Sequence, residues 1–470
     1  VLTLSVGRLL EVTGGTLLHG DDKTMVNGLA IDSREVEPGA AFVAFAGEHS
    51  DGHDFVGAAL GGGARALVVT RDSDELRHAI AASRRHDVAL VLVPDATAAV
   101  QALAAAHRDR LLCPVVGVTG SMGKTTTKDF LRSVLGMRMN VVATEGNQNN
   151  ELGVPLTIMR AGADTGALIV EMAMRGAGQI EQLARIARPT CGLVTNVGVS
   201  HVEVLGSERA IAYAKAELVE AIPADGRVFL NGDDAWSAVL AERSEAAVTY
   251  YGLAPTCLVR AGDITVDESG NVAFDIISEQ GTERAVLPVP GRHNVYNALA
   301  AASIGIYLQL SLSEVVAGLA SARMTGMRME LFESASGVTV LNDAYNANPT
   351  AMRAALTTLG ELRNTGARVA VLGDMAELGT LAELAHFDLG GVVARSATDV
   401  LITVGPLAKR IADGALAGGM PADSIRPCTT AAEASEVLDD LLSPGDVVLV
   451  KASRIMGLER IVEGIIQPHV

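Results

Sequence analysis

Short apolar runs that end in a polar residue recur along this chain, each with the length of a buried parallel strand. Between Pro114 and about Ser321 the runs Ala167-Leu-Ile-Val-Glu171, Cys191-Gly-Leu-Val-Thr-Asn196 and Arg227-Val-Phe-Leu-Asn231 alternate with helical stretches, as in a doubly wound sheet. Ahead of them, residues 1 to about 112 carry strand-like runs at Ala40 to Ala46 and Ala66 to Thr70, separated by glycine clusters, and then an Ala-rich helix near Ala98 to Arg108. This predicts a small α/β unit. A third set follows the stretch Arg323 to Arg328, with strands predicted at Val338 to Asn342, Arg368 to Leu372, Val400 to Val404 and Val447 to Val450. There Asn348-Pro349-Thr350 opens a helix, with proline suited to an early helical position. The second and third units both read as parallel α/β domains.

The most informative stretch runs from Val115 to Lys128. An apolar β-branched run (Val115, Val116, Val118) leads into Thr119-Gly120-Ser121-Met122-Gly123, and then into a helix with Phe130, Leu131, Val134 and Leu135 on one face and Gly136 as its stop. Strand, glycine loop and helix form a phosphate cradle. Loop amides and the positive helix end would face an anion, Lys124 would reach the β- and γ-phosphates, and the Thr125 hydroxyl would bind Mg²⁺, the alternative being a glycine-rich turn whose lysine is merely solvated. The general P-loop pattern fails by one position, because Val118 stands where its first glycine belongs. What remains is the narrower Gly117-x-x-Gly120-x-x-Gly123-Lys124-Thr125.

At 470 residues the chain should form about three domains, each with its own core. A net charge of −18 argues against nucleic acid or an anionic membrane as the main partner. The four cysteines lie far apart with no C-x-x-C spacing, which suggests neither a zinc site nor a disulfide framework but buried thiols in a reducing cytoplasm. The longest apolar run, Ala298 to Leu308, is too short to span a bilayer.

Ligands of open parallel sheets bind beyond the carboxyl ends of the strands, so the polar residues there are candidates. Glu171 ends one strand, and Thr195-Asn196 ends the next, leading through Gly198 to His201. A carboxylate and an imidazole near the Thr125 hydroxyl could complete metal sites together with phosphate oxygens, although each alone also reads as a cap or a solvated loop residue. Lys215 lies on a helix capped by Ser207, and its neighbours three and four positions away, Ile211, Ala212, Leu218 and Val219, are all apolar. It either snorkels past them or is chemically used. Asn294 and Asn297 put two amides on one helical face, suited to a base edge or, for Asn294, to capping. Arg328 lies at the entry to the third unit, and Asp343-Ala-Tyr345-Asn346-Ala-Asn348 ends that unit's first strand.

Taken together, these residues resemble the Mur ligases, the ATP-dependent amide-forming enzymes of bacterial cell-wall precursor synthesis. The resemblance runs over nearly the whole chain. It is carried by Asp32-Ser33-Arg34, Pro38-Gly39 and the stretch Gly47 to His53, by VTGSMGKTTTKDF, and by Asn147-Gln-Asn149-Asn150-Glu-Leu-Gly153. EMAMRG from Glu171, the stretch Thr195 to His201, AKAEL around Lys215, PGRHNVYNALAA, NDAYNANPTAM and VLGDMAELG complete it. EMAMRG, DAYNANP and GDMAELG are similar to the class that adds D-Ala-D-Ala to UDP-N-acetylmuramoyl-tripeptide.

The resemblance implies a three-domain α/β architecture. Residues 1–112 would bind the UDP-sugar, 113–321 would form the central ATP-binding P-loop domain, and 322–470 would form a Rossmann-like domain closing on ATP and taking the dipeptide. Ser33, Arg34, Asp51, Gly52 and His53 would hold the UDP-sugar end, and Asn149 and Asn150 would line the substrate cleft. Gly120, Ser121, Met122, Gly123, Lys124, Thr125 and Thr126 would cradle the phosphates, with Thr125, Glu171 and His201 at two magnesium sites. Asn294 and Asn297 would read adenine, Arg328 would contact the γ-phosphate, and Asp343 and Tyr345 would lie at the ribose and nucleotide. Lys215 would be carbamylated and become an anionic metal ligand. A cytoplasmic monomer is expected. Because residues on both sides of Ser321 grip one ATP, a hinge is expected over Ser321 to Arg328, with Gly326 absorbing the backbone change. A folylpolyglutamate synthetase and a non-catalytic nucleotide-binding module are the rival readings.

Overall fold

In a computed structural model, residues 1–47, 50–85, 87–198 and 202–466 are described. Their strands form four sheets, three of them large and mainly parallel. The first has five strands in the order Thr16–His19, Ala89–Leu92, Ala66–Val69, Ala41–Val43 and Leu29–Ala30, with only the first pair antiparallel. A two-stranded ribbon, Thr3–Ser5 with Met25–Asn27, lies apart from it.

The central sheet has nine strands. Its parallel part runs from Val141–Ala143 through Ala167–Glu171, Val115–Thr119, Cys191–Val194, Arg227–Asn231 and Ala247–Gly252 to Val259–Val266. It then continues as an antiparallel meander through Asn271–Ser278 and Gly281–Pro290. The apolar-run pattern finds Val115–Thr119, Ala167–Glu171, Cys191–Val194 and Arg227–Asn231, whose residues are mostly buried, but not the more exposed parallel strands Val141–Ala143, Ala247–Gly252 and Val259–Val266. It misses the meander, whose strands bury one face and alternate instead. A doubly wound sheet is therefore only part of this domain. The third sheet has six strands in the order Glu330–Glu333, Thr339–Asn342, Val447–Lys451, Arg368–Gly373, Val400–Val404 and Ile425–Cys428, parallel except for the first pair.

Helix Ala96–Arg108, expected to belong to the first unit, packs just as much on the second. Its Val100 and Leu103 share one apolar cluster with Val43, Val68 and Val91 of the five-stranded sheet and with Ile158 and Leu183 of the central helices. Periodicity shows that a helix has an apolar face but not which neighbour covers it. The C-terminal domain is separately cored, its two clusters drawing only on residues from Met329 onward. Among the described residues no helix is long and apolar enough to cross a membrane.

Candidate active site

The Val115–Thr119 strand lies between Cys191–Val194 and Ala167–Glu171, with Val194 opposite Thr119 and Glu171 opposite Val118. Three strand ends thus deliver Gly120, Thr195 and Glu171 to one place. Beyond Gly123, at φ +76°, the chain enters helix Lys124–Leu135, so the loop amides and the first helical turn face the same space. The neighbouring loop moulds this cradle. Thr195 Oγ1 donates to the Met122 carbonyl at 2.5 Å, and the Asn196 side chain donates to the same oxygen at 3.1 Å and accepts from the Met122 amide at 3.0 Å. Ser121 Oγ donates to the Gly198 carbonyl at 2.9 Å.

Gly120 is required here twice over. Its φ is +151°, and a Cβ would press into the Thr195 hydroxyl. Gly120→Ala is expected to cost about 2 kcal/mol or more of stability, read as a lower melting temperature, together with weakened nucleotide binding. A melting curve matching the parent would contradict this packing.

Lys124 Nζ donates to the Gly120 carbonyl at 2.7 Å. Burial lowers its pKa, Glu171 opposes that shift and Arg328 adds to it. Thr125 Oγ1 donates to Glu171 Oε2 at 2.9 Å, and Asn149 Nδ2 donates to Oε1 at 2.8 Å. Glu171 is buried, and among the described residues it makes no ion pair. A buried carboxylate whose side-chain donors among the described residues are neutral, with the Lys124 charge nearby and a threonine hydroxyl beside it, could hold a magnesium ion together with phosphate oxygens. No group of three or more His, Cys, Asp or Glu that could cage a metal occurs among the described residues. His201, the other expected metal ligand, lies outside the described residues.

Lys215 sits on helix Glu208–Glu220, whose cap Ser207 accepts the Ala210 amide at 3.2 Å. The side chain is 1% exposed, which excludes snorkelling. Burial, and then the nearby Lys124, hold its pKa well below the ordinary lysine value.

A cavity of about 220 Å³ is walled by Lys124, Thr125 and Glu171 on the central side and by Arg328, Asp343 and Lys451 on the C-terminal side. Arg328 stacks over the Tyr345 ring at 4.0 Å, and its Nε is buried with no hydrogen-bond partner among the described residues. Asp343 is held by Lys451 Nζ at 2.5 Å and accepts the Met329 amide at 3.2 Å. A second cavity of about 280 Å³ shares the phosphate loop and is lined by Asn231, His293, Tyr296 and Asn297. Burial lowers the His293 pKa to about 4 and pushes Tyr296 up to about 12.

The expected amide pair serves mainly as a brace. Asn294 donates to the Pro290 carbonyl at 2.7 Å and accepts from Asn297 at 2.9 Å, while Asn297 Oδ1 accepts from Thr127 at 3.1 Å. Asn231, His293, Tyr296 and Lys451 also line these cavities and are not among the residues expected from the sequence, although His293 and Tyr296 flank the two amides.

A cleft of about 580 Å³ runs between helix Ala96–Arg108 and the central domain, lined by Asp95, Gln101, Asn149, Asn150, Arg175 and Gln182 among others. Asn149 and Ala173 line both this cleft and the phosphate cavity, so the two spaces meet beside Glu171. Asn150 lines the cleft and also accepts the Gly153 amide at 2.9 Å at the start of the next helix. None of Ser33, Arg34, Asp51, Gly52 or His53 lines either space. Arg34 is exposed and paired with Asp32. His53 is a brace, with Nδ1 2.6 Å from Asp51 and Nε2 accepting the Thr70 amide at 3.2 Å. The His53 amide, together with its ring and Arg71, holds the Asp51 carboxyl down to about 2.

Three family models match the chain. Residues 118–305 match the family model for the Mur ligase middle domain, residues 327–454 the Mur ligase glutamate ligase domain, and residues 25–108 the Mur ligase family catalytic domain. The chain is 36% identical over 464 residues to the UDP-N-acetylmuramoyl-tripeptide--D-alanyl-D-alanine ligase of Bacillus subtilis, covering 98% of each chain. Its structure is similar to MurF from Acinetobacter baumannii, with a TM-score of 0.87, 29% identity and 99% of each chain covered. It is also similar to the MurF ligase of Thermotoga maritima in complex with ADP, with a TM-score of 0.79, 27% identity, and 93% of this chain and 96% of that one covered.

Proposed function

The chain belongs to the Mur ligase family, and from that premise we propose that it is the ligase joining D-Ala-D-Ala to UDP-N-acetylmuramoyl-tripeptide, coupled to cleavage of ATP to ADP and phosphate. The observation that carries this reading is the meeting of two spaces at Asn149 and Ala173, one walled by the phosphate loop and the other a cleft of about 580 Å³. A carboxylate entering from the peptide cleft would reach the γ-phosphate there. Its oxygen attacks phosphorus, the bond to the β-phosphate oxygen breaks, and ADP leaves an acyl phosphate. The dipeptide amine then attacks the acyl carbon, loses a proton and expels phosphate.

Such chemistry depends on position and charge more than on a protein nucleophile. Lys124 and Arg328 face the same cavity from opposite domains and would share the charge of the transferring group. Thr125 and Glu171 would hold magnesium, which neutralises phosphate oxygens when bound. Asp343 and Tyr345 would lie along the nucleotide, and the base would enter the space at Asn231, Tyr296 and Asn297. Ser33, Arg34 and the Asp51-Gly52-His53 turn would take the UDP-sugar.

Lys215 is read as a carbamate. Burial and the nearby Lys124 disfavour its charged form, the neutral amine is the form that adds CO₂, releasing one proton, and the resulting anion would attract Lys124. His201 would be a further magnesium ligand. Functionally the chain divides into 1–112, 113–321 and 322–470. One chain supplies every group named, so a monomer suffices, and four free cysteines fit the cytoplasm.

ADP and phosphate should form in step with the pentapeptide product only when the UDP-tripeptide and D-Ala-D-Ala are both present. Equal turnover with folate and glutamate would favour the synthetase alternative, and binding without turnover a regulatory module.

A further inference from the structure

The linker that carries Arg328 is clamped by carboxylates at both ends, and the one on the central side lies outside the nucleotide cavity. Asp129, on the phosphate-loop helix, is 5% exposed, and its Oδ2 accepts the Thr325 amide at 2.8 Å. Its Oδ1 lies 3.0 Å from Lys128 Nζ, which also donates to the Thr144 carbonyl at 3.0 Å. Thr144 Oγ1 in turn accepts the Glu171 amide at 2.9 Å. An apolar pair would stabilise this helix as well as a buried ion pair does. It could not accept an amide.

Ala322 and Met324 pack on the central core, whereas Met329 packs in the C-terminal one. Between these anchors Met327 and Met329 hold φ of +60° and +52°, flanking Arg328. The expected pivot, Gly326, is not among the residues with positive φ. A left-handed backbone at two non-glycine residues persists only where surrounding bonds over-determine it. Here Glu330 accepts the Met327 amide at 3.0 Å, Asp343 accepts the Met329 amide at 3.2 Å, and Asp129 holds the arch from the other side.

We propose that Asp129 is a positioning residue for phosphoryl transfer. Through the Thr325 amide it fixes the start of the arch that brings Arg328 over the nucleotide, and through Lys128 and Thr144 it ties that arch to the strand ending in Glu171. This rests on Arg328 acting at the transferring phosphate.

The test is a double-mutant cycle with Arg328→Ala. Thr325→Pro removes the donor and leaves the Lys128–Asp129 pair intact, while Asp129→Ala removes the acceptor; should the alanine variant fail to fold, the proline variant carries the test. Each is expected to lower kcat about tenfold in the parent, with affinity for a non-hydrolysable ATP analogue within about threefold, and to lower kcat less than about threefold once Arg328 is gone. Asp129→Glu should recover part of the rate. A kcat within about twofold of the parent, or a loss undiminished in the Arg328→Ala background, overturns the proposal. An Arg328→Ala enzyme at the parental rate overturns the reading of Arg328 on which it rests.

Discussion

Replacing Lys124 with alanine is expected to slow turnover about a hundredfold or more while leaving the melting temperature unchanged or raised. The rate follows from removing a charge contact to the transferring phosphoryl group, on the order of 3 kcal/mol. The stability follows from what surrounds the ammonium. Its bond in the structure is to the Gly120 carbonyl, and burial works against its charge, with Arg328 adding to that effect and Glu171 opposing it. Steady-state kinetics and a thermal melt on the same preparation check both halves. Turnover within about threefold of the parent would place Lys124 away from the phosphates.

Lys215→Ala is expected to lose activity by about a hundredfold or more, and a small carboxylic acid such as acetate should restore part of it by supplying the missing anion. Lys215→Met separates this from a packing role, because it fills most of the same space without a charge. If Lys215 were merely a buried amine, the methionine variant would melt higher and turn over normally, since the group it removes is 1% exposed with its pKa driven down by burial. The carbamate reading expects that variant to be stable and inactive. A methionine enzyme at the parental rate, or a lack of any acid rescue in a folded alanine variant, would end it.

Much of the architecture could be read from local pattern. Ala167–Glu171, Arg227–Asn231 and Val400–Val404 lie where their apolar runs placed them, because strands buried on both faces have no polar positions to blur their limits. Ser207 and Asn348 cap their helices through the bonds their side chains favour. The phosphate loop was legible because strand, glycine turn and helix follow one another directly in sequence.

What the sequence hid depends on partners distant along the chain. The amides of Asn294 and Asn297 suit a base edge in isolation, but the nearby Pro290 carbonyl and Thr127 engage them. Lys128 and Asp129 look like an ordinary solvated pair on a helix, and only the Thr325 amide, nearly two hundred positions away, shows otherwise. Met327 and Met329 contradict backbone preference altogether, since methionine has no intrinsic tendency toward positive φ.

The apolar cluster that runs from Val43 and Val68, through Val100 and Leu103, to Ile158 and Leu183 has a consequence for how the molecule unfolds. Three functional domains here amount to two cooperative units. The five-stranded sheet and the phosphate-loop sheet share a core, so neither can lose its packing without exposing the other, and a cavity opened at Val68 in the first weakens the phosphate-loop sheet as well. The C-terminal unit keeps its own cores and meets the rest partly through ion pairs such as Arg292–Glu361 and Arg363–Glu268. Charged contacts of that kind rehydrate when they part, so separating this unit from the rest costs less than opening the shared core.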